Sequence, residues 1–193
     1  CFEFGLREVE YLGHLVSGTG ICFSEKRKQG IADVKQPKST HQVRSFVGLA
    51  NYFRDFIPNF STVVKPLTSL CSDKVKFCWS DAASGAFEKI KQCILDAPLL
   101  HHLDYSCVII LRTDASNMGV GGILLQKIDG MERPVCFVSK SFTAAECRWS
   151  TIEQEAFAAV FCILQLSHYL LGHHFILETD HGTTVVVVVV VVV

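Results

Sequence analysis

The spacing of apolar residues changes twice along the chain. Residues 9–23 place Val9, Tyr11, Leu12, Leu15, Val16, Ile21 and Phe23 around Gly18 and Gly20, a near-alternating pattern that predicts a hairpin. A short basic helix is predicted next, through Lys26, Arg27, Lys28, Ile31 and Val34, ending before Pro37, which cannot continue a helix. From Ser39 the period lengthens. Val43, Phe46, Val47, Ala50, Phe53 and Phe56 recur at helical intervals behind a Ser39-x-x-Gln42 capping box, predicting a helix with one aromatic face. Pro58 and Pro66 predict a loop, Phe77 to Ser80 forms a short apolar segment, and Phe87, Ile90 and Ile94 mark a further helix closed by Pro98.

Near residue 103 the texture becomes that of a sheet. Cys107 to Leu111 is an unbroken apolar run, as a central strand buried on both faces requires. Gly119, Gly121 and Gly122 lead a second strand through Leu125, and Asp129-Gly130 is a hairpin turn into a third, Pro134 to Val138. Ser150-x-x-Glu153 caps a helix with two apolar stripes, one of Ile152, Ala159, Ile163, Leu166 and Leu170, the other of Phe157, Val160, Phe161 and Leu164. Such a helix is apolar nearly all round, so it is expected to pack on a sheet. Gly172 stops it, and Phe175 to Asp180 is the last strand. The fold class is therefore α/β, α+β overall: a small, mostly helical segment followed by a mixed sheet with a packed helix.

Composition narrows the possibilities. With 18 Lys and Arg against 19 Asp and Glu, no bulk field draws the protein to nucleic acid or to anionic lipid, so any nucleic-acid contact must be a local patch. Lys26, Arg27, Lys28, Arg44 and Arg54 either line a phosphate backbone or are scattered surface bases. The 9 cysteines are odd in number, scattered and mostly within apolar runs, which points to buried reduced thiols and an intracellular, reducing location, cytoplasm or nucleus. The pairs His101/His102 and His173/His174 lack zinc-site spacing, and no small-molecule cofactor is expected. The chain begins without Met, with no signal peptide, as though cut from something longer. Val185 to Val193 is too short to span a bilayer; it reads as a low-complexity tail outside the fold, and no membrane partner is expected.

Three acidic residues carry the candidate chemistry. Asp114 ends the buried strand, Asp180 repeats the Thr-Asp ending on the last strand, and Glu155 lies one turn beyond Ile152 and one before Ala159, near the helix start and turned toward the apolar stripe. Glu153 is the capping residue. Strand, helix and strand thus deliver one carboxylate each to one place, and carboxylates gathered there need a hard divalent cation such as Mg²⁺. Two such ions roughly 4 Å apart activate a water and stabilise a leaving oxygen in phosphodiester hydrolysis.

Several ordered motifs resemble the polyprotein of Gypsy-type long-terminal-repeat retrotransposons, from the end of the reverse transcriptase into its ribonuclease H domain. Tyr11-Leu-Gly-His14 resembles the primer-grip hairpin, and Val43-Arg-Ser-Phe-Val-Gly-Leu-Ala-Asn-Tyr-Phe-Arg-Asp-Phe-Ile-Pro58 the thumb helix, with Pro66-Leu-Thr and Phe77-Cys-Trp79 continuing into the connection. Thr113-Asp-Ala-Ser116, Trp149-Ser-Thr-Ile-Glu-Gln-Glu155 and Thr179-Asp-His181 are similar to the three motifs that contribute Asp, Glu and Asp. The resemblance implies residues 1–24 as the end of the palm, 25–103 as thumb and connection, 104–184 as a C-terminally incomplete ribonuclease H-like domain, and 185–193 as the poly-Val tail.

What the resemblance implies is cleavage of the RNA strand of an RNA/DNA hybrid, with Asp114, Glu155 and Asp180 as ligands of two Mg²⁺ ions. Tyr11, Gly13 and Ser116 join the basic residues as nucleic-acid contacts, and the hybrid or a primer–template is the partner. No Tyr-x-Asp-Asp occurs, so the polymerase carboxylates belong to a missing upstream segment. Gly182-Thr-Thr-Val185 replaces the family's continuation, which carries the fourth metal-binding residue; activity of this chain alone is expected to be weak or nil. The alternatives are an inactive remnant that binds nucleic acid or protein, and, ranked last, a transposase or integrase core.

Overall fold

The computed structural model describes residues 6–72 and 76–179, and the backbone of Val186–Val189. The first unit begins as a three-stranded antiparallel meander, β1 (Glu8–Tyr11), β2 (His14–Ser17) and β3 (Gly20–Phe23), where a single hairpin was predicted. Its first turn is Leu12-Gly13, with φ of 51° and 82°, the two left-handed values of a type I′ turn, and Gly13 supplies the second without strain. After the helices, β4 (Leu100–His101) returns to close this sheet against β3.

Helix α1 (Glu25–Ala32) precedes α2 (Thr40–Tyr52), and a 3₁₀ turn at Arg54–Phe56 prolongs the aromatic face of α2. Val43, Phe46, Ala50, Phe53 and Phe56 are buried, as their spacing predicts. Ser39 caps α2 through the Gln42 amide at 3.3 Å, but the Gln42 side chain accepts from the Lys38 amide at 2.7 Å, so only half of the predicted box forms. The segment predicted as a loop contains two short helices, α3 (Phe60–Val63) and α4 (Lys65–Ser69). Pro66 lies in the first turn of α4, where its missing N–H costs nothing, and Phe60, Val64 and Leu67 are buried. Helix α5 (Asp81–Leu95), capped by Ser80, completes the unit. Its core is aromatic: Phe23 packs against Phe56 at 4.3 Å and Phe53 at 4.8 Å, and Phe46 against Phe87 at 4.6 Å.

The second sheet contains β5 (Val108–Ser116), β6 (Gly119–Ile128), β7 (Met131–Ser141), β8 (His174–Thr179) and β9 (Val186–Val189), in the order β7-β6-β5-β8-β9. Asp129-Gly130 makes the predicted turn, with φ of 51° and 78°. Strand β5 is central, antiparallel to β6 and parallel to β8, and the chain reaches β8 from the β6–β7 hairpin through α6 (Thr151–Gln165) and the short α7 (Ser167–Leu170). Pro134 is tolerated because β7 is an edge strand with a register shift opposite Leu124/Leu125. The valines set aside on sequence grounds are partly incorporated: Val186–Val189 pairs antiparallel with β8, whose outer edge is otherwise open.

Helix α6 corrects the sequence reading. The line it buries is Gln154, Ala158, Cys162 and Leu166, whereas Ile152 is 67% exposed, Val160 55% and Leu164 65%. The first predicted stripe is buried only at Leu166 and Leu170, with Ala159 and Ile163 half-buried beside the core, and the second splits between half-buried Phe157 and Phe161 and exposed Val160 and Leu164. Small residues decide the contact: a Cβ on Gly122 of β6 would stand 2.6 Å from Cys162 Sγ, so the helix approaches where side chains are shortest. The two units meet along α3 and β7. The Ser61 amide donates to Ser139 Oγ at 3.0 Å, Ser61 Oγ to the Ser139 carbonyl at 2.8 Å, and Ser141 Oγ to the Ser61 carbonyl at 2.6 Å.

Candidate active site

The pleat of β5 sends alternate residues to opposite faces. Ile109, Leu111, Thr113 and Ala115 face α6; Arg112 and Asp114 face the other way and are exposed. Across the sheet Asp114 pairs with Gly121 of β6, and on the other side the parallel ladder pairs Thr113 with Thr179. Asp114 and Asp180 are thus the residues that follow one matched Thr pair. Asp180 itself lies outside the described residues.

Glu155 is half-buried, one residue past Gln154 of the buried line of α6 and one turn beyond the exposed Ile152. Ala158, one turn later, packs with Val120 and Ala115, so the start of α6 sits over the end of β5 that carries Asp114. Glu153 is committed elsewhere. Ser150 donates to its Oε2 from the backbone at 2.7 Å and from the hydroxyl at 2.8 Å, and these bonds hold its carboxyl below the usual range. Asp114 thus stands near the end of β5 on the face turned away from α6, Glu155 lies at the start of α6 on the other face, and Glu153 is taken up by the cap. Among the described residues, no group of three or more His, Cys, Asp or Glu side chains is placed to hold a metal.

Arg112, two residues before Asp114, bridges its own face of the sheet. It donates to Glu178 at 2.7 Å and to Glu132 at 3.0 Å, and with those bonds foremost it keeps the Glu132 carboxyl below its ordinary range. Ser116 Oγ donates to the Gly119 carbonyl at 3.1 Å and accepts from the Met118 amide at 3.3 Å, closing the β5–β6 turn. Sequence reasoning missed Asn59. Its carboxamide oxygen occupies the space where Gly121, the cross-strand partner of Asp114, would carry a Cβ. Asn59 has φ 51°, a left-handed conformation that Asn tolerates, and its side chain makes no cap hydrogen bond to α3.

The predicted nucleic-acid contacts fall into separate places. Gly13, Lys26 and Arg27 line one pocket, with Glu10 and Ser24; Arg44 and Arg54 line another. The Arg27 guanidinium lies 5.0 Å from the Phe53 ring centroid, which gives it a packing role, and Lys28 pairs with Glu25 at 3.7 Å. Tyr11, at the β1 end, is 65% exposed. Arg44 donates to the Cys71 carbonyl from Nε at 3.2 Å and Nη2 at 2.7 Å.

A protein-family model described as the RNase H-like domain found in reverse transcriptase matches residues 79–177, just over half of the chain. The chain belongs to this family. The RNase H-like match takes in α5 as well as the whole of β5 through α6. Over 179 residues, 93% of the chain, it is 35% identical to the retrovirus-related Pol polyprotein from transposon 412 of Drosophila melanogaster. It is 34% identical over 95% of its length to the transposon Tf2-3 polyprotein of Schizosaccharomyces pombe. It spans only 14% of either relative. Among solved structures, the foamy viral protease-reverse transcriptase in complex with dsDNA superposes over 92% of this chain and 37% of its own, with TM-score 0.77 at 23% identity. The same enzyme in complex with RNA/DNA hybrid gives 0.75 at 23% identity, covering 92% of this chain and 24% of its own. The RNase H-like fold of the chain is that of the retroelement Pol polyprotein.

Proposed function

We propose that this RNase H-like domain hydrolyses the RNA strand of an RNA/DNA hybrid, with Asp114, Glu155 and Asp180 as the metal-binding carboxylates. What supports the reading is the register of β5 and β8, which pairs Thr113 with Thr179, the residues that precede Asp114 and Asp180 in the sequence, together with the start of α6 over the end of β5. The donor set fits the expected ion: carboxylate oxygens are the hard ligands Mg²⁺ takes. Bound there, Mg²⁺ supplies a polarised water and charge stabilisation at the leaving oxygen. The chain's own part is positional. Asp114 stands exposed at a strand end where a backbone phosphate can reach it, Glu155 is anchored by a helix with a complete capping box, and the Arg112 bridge to Glu132 and Glu178 stiffens the strands beneath. The 2′-hydroxyls of the RNA strand identify the strand to be cut.

A labelled hybrid incubated with the full chain and Mg²⁺ tests this directly. Slow, metal-dependent cutting of the RNA strand alone is expected, lost in Asp114→Asn. Equal cutting by both proteins contradicts the reading. Hybrid binding without cleavage, unchanged by Asp114→Asn, favours a non-catalytic nucleic-acid-binding remnant.

A further inference from the structure

Away from the candidate active site, the first unit holds a groove of about 620 Å³ between α2 and the segment that joins α1 to it. That segment is tied at both ends. Lys91 of α5 donates to the carbonyls of Ala32 at 2.7 Å and Val34 at 3.0 Å, and the Lys38 amide donates to the Gln42 side chain at 2.7 Å. Between the ties, Pro37 is buried and biases Gln36 toward extended backbone. The backbone N–H and C=O groups of Lys35 and Gln36, both exposed, bond to no other group among the described residues. Held at each end with its own groups unspent, the segment presents the kind of open edge to which an extended peptide adds.

The lining defines what such a peptide carries. Val34, Pro37, Phe46 and Leu49 make the groove largely apolar, and Lys35 and Lys38 are the charged residues among its described lining. Neither lysine makes an ion pair with a described residue. Asp33, the acid closest in sequence, lies outside the lining, and its carboxylate accepts from the Gln29 side chain at 3.0 Å. A phosphate backbone would use the cations and leave the apolar lining idle. An extended peptide uses both, because its side chains alternate between two sides: apolar residues enter the groove and acidic ones reach the lysines.

We infer that this groove docks an extended acidic peptide from a partner protein. The peptide's main chain pairs with Lys35 and Gln36, its apolar side chains at alternate positions pack on Phe46 and Leu49, and the carboxylates between them meet Lys35 and Lys38. The hydrolase reading does not enter, since no described lining residue of the groove belongs to the sheet that carries Asp114.

The probe is a fluorescein-labelled peptide of sequence Glu-Leu-Glu-Phe-Glu-Leu-Glu, titrated with the full chain and followed by anisotropy. Wild type and the charge control Lys89→Glu are expected to bind it alike. Lys35→Glu/Lys38→Glu is expected to bind about tenfold more weakly at an unchanged melting temperature, since each exposed ion pair contributes little alone. Replacing the peptide's Leu and Phe by Ser is expected to weaken binding by about tenfold or more. N-methylation of its alternate amides is expected to weaken it by about tenfold through the main-chain pairing. Equal affinity of wild type and the double variant, or no binding of the peptide by wild type, overturns the inference. A Ser-substituted peptide that binds as tightly as its parent and is displaced by an RNA/DNA hybrid also overturns it, and assigns the two lysines to nucleic acid.

Discussion

The two halves of the molecule build their cores in different ways. The first unit buries Phe23, Phe46, Phe53, Phe56, Phe60 and Phe87 among helices and a small sheet that close around them. The second relies mainly on aliphatic side chains and thiols, with Ile109, Leu111, Leu124, Cys162, Leu166 and Leu177 between the sheet and α6 and only Phe142 and Phe175 as buried aromatics, and leaves the outer face of that helix bare. Large aromatic side chains fill volume from several directions at once; small ones allow a close, one-sided approach. The first unit closes its core largely around itself, with Phe137 of β7 packed against it, whereas the candidate site of the second stands at a strand end between two neighbours: α6 on one face, Asn59 and Ser61 of the helical unit on the other.

That contrast can be broken most forcefully at Phe53, which is fully buried against Phe23 and under Arg27. Phe53→Ala is expected to cost about 3–5 kcal/mol in chemical denaturation, and a loss under about 1 kcal/mol would mean the aromatic core is not what holds the first unit. The close approach in the second unit is tested by Gly122→Ala, expected to cost about 1–3 kcal/mol through its clash with Cys162 Sγ. Pairing it with Cys162→Ala should recover part of that loss, and strictly additive effects would show that helix and strand are not in the contact described.

A smaller effect separates the units by pH. Burial first, and the Arg27 charge second, hold the His14 pKa below its ordinary 6.5, so the folded state prefers neutral imidazole. The unfolded chain takes up the proton first, so this contribution is fully present above pH 6.5 and declines as pH falls below it. His14→Phe should flatten the fall in stability of the first unit on going from neutral to mildly acidic pH; an unchanged profile would remove His14 from the account. The smallest change is expected at Val160, 55% exposed on the bare face of α6. Val160→Ser should alter stability by less than about 0.5 kcal/mol, and a larger loss would show that this face is covered in solution.

Much of this fold was legible because the dominant elements obey one period each. The Phe46–Phe53–Phe56 spacing gave α2, and the Asp129-Gly130 turn gave the β6–β7 hairpin. Helices α3 and α4 were not legible, since Pro66 reads as a breaker until its place in a first turn is known, and the two-residue β4 exists only through its pairing with β3. The packed face of α6 was partly misread for a different reason: hydrophobicity favours Ile152 and Leu164, but contact is decided by the missing side chain at Gly122 and the small one at Ala158. At the candidate site, the positions of Asp114 and Glu155, a strand end and a helix start, could be read from the sequence. Asn59 could not, because only the tertiary fold lays it over Gly121; the glycines at 119, 121 and 122 were the one hint of a close approach.

The most direct measurement is calorimetric titration of Mn²⁺, as a stand-in for Mg²⁺, into the full chain and into Asp114→Asn, Glu155→Gln and Asp180→Asn. If the carboxylates at 114, 155 and 180 gather at one end of the sheet, wild type binds the ion and each substitution weakens binding at least tenfold. Equal affinity in all four proteins, each folded to the same melting temperature, would contradict a shared metal centre and leave the RNase H-like fold without the chemistry proposed for it.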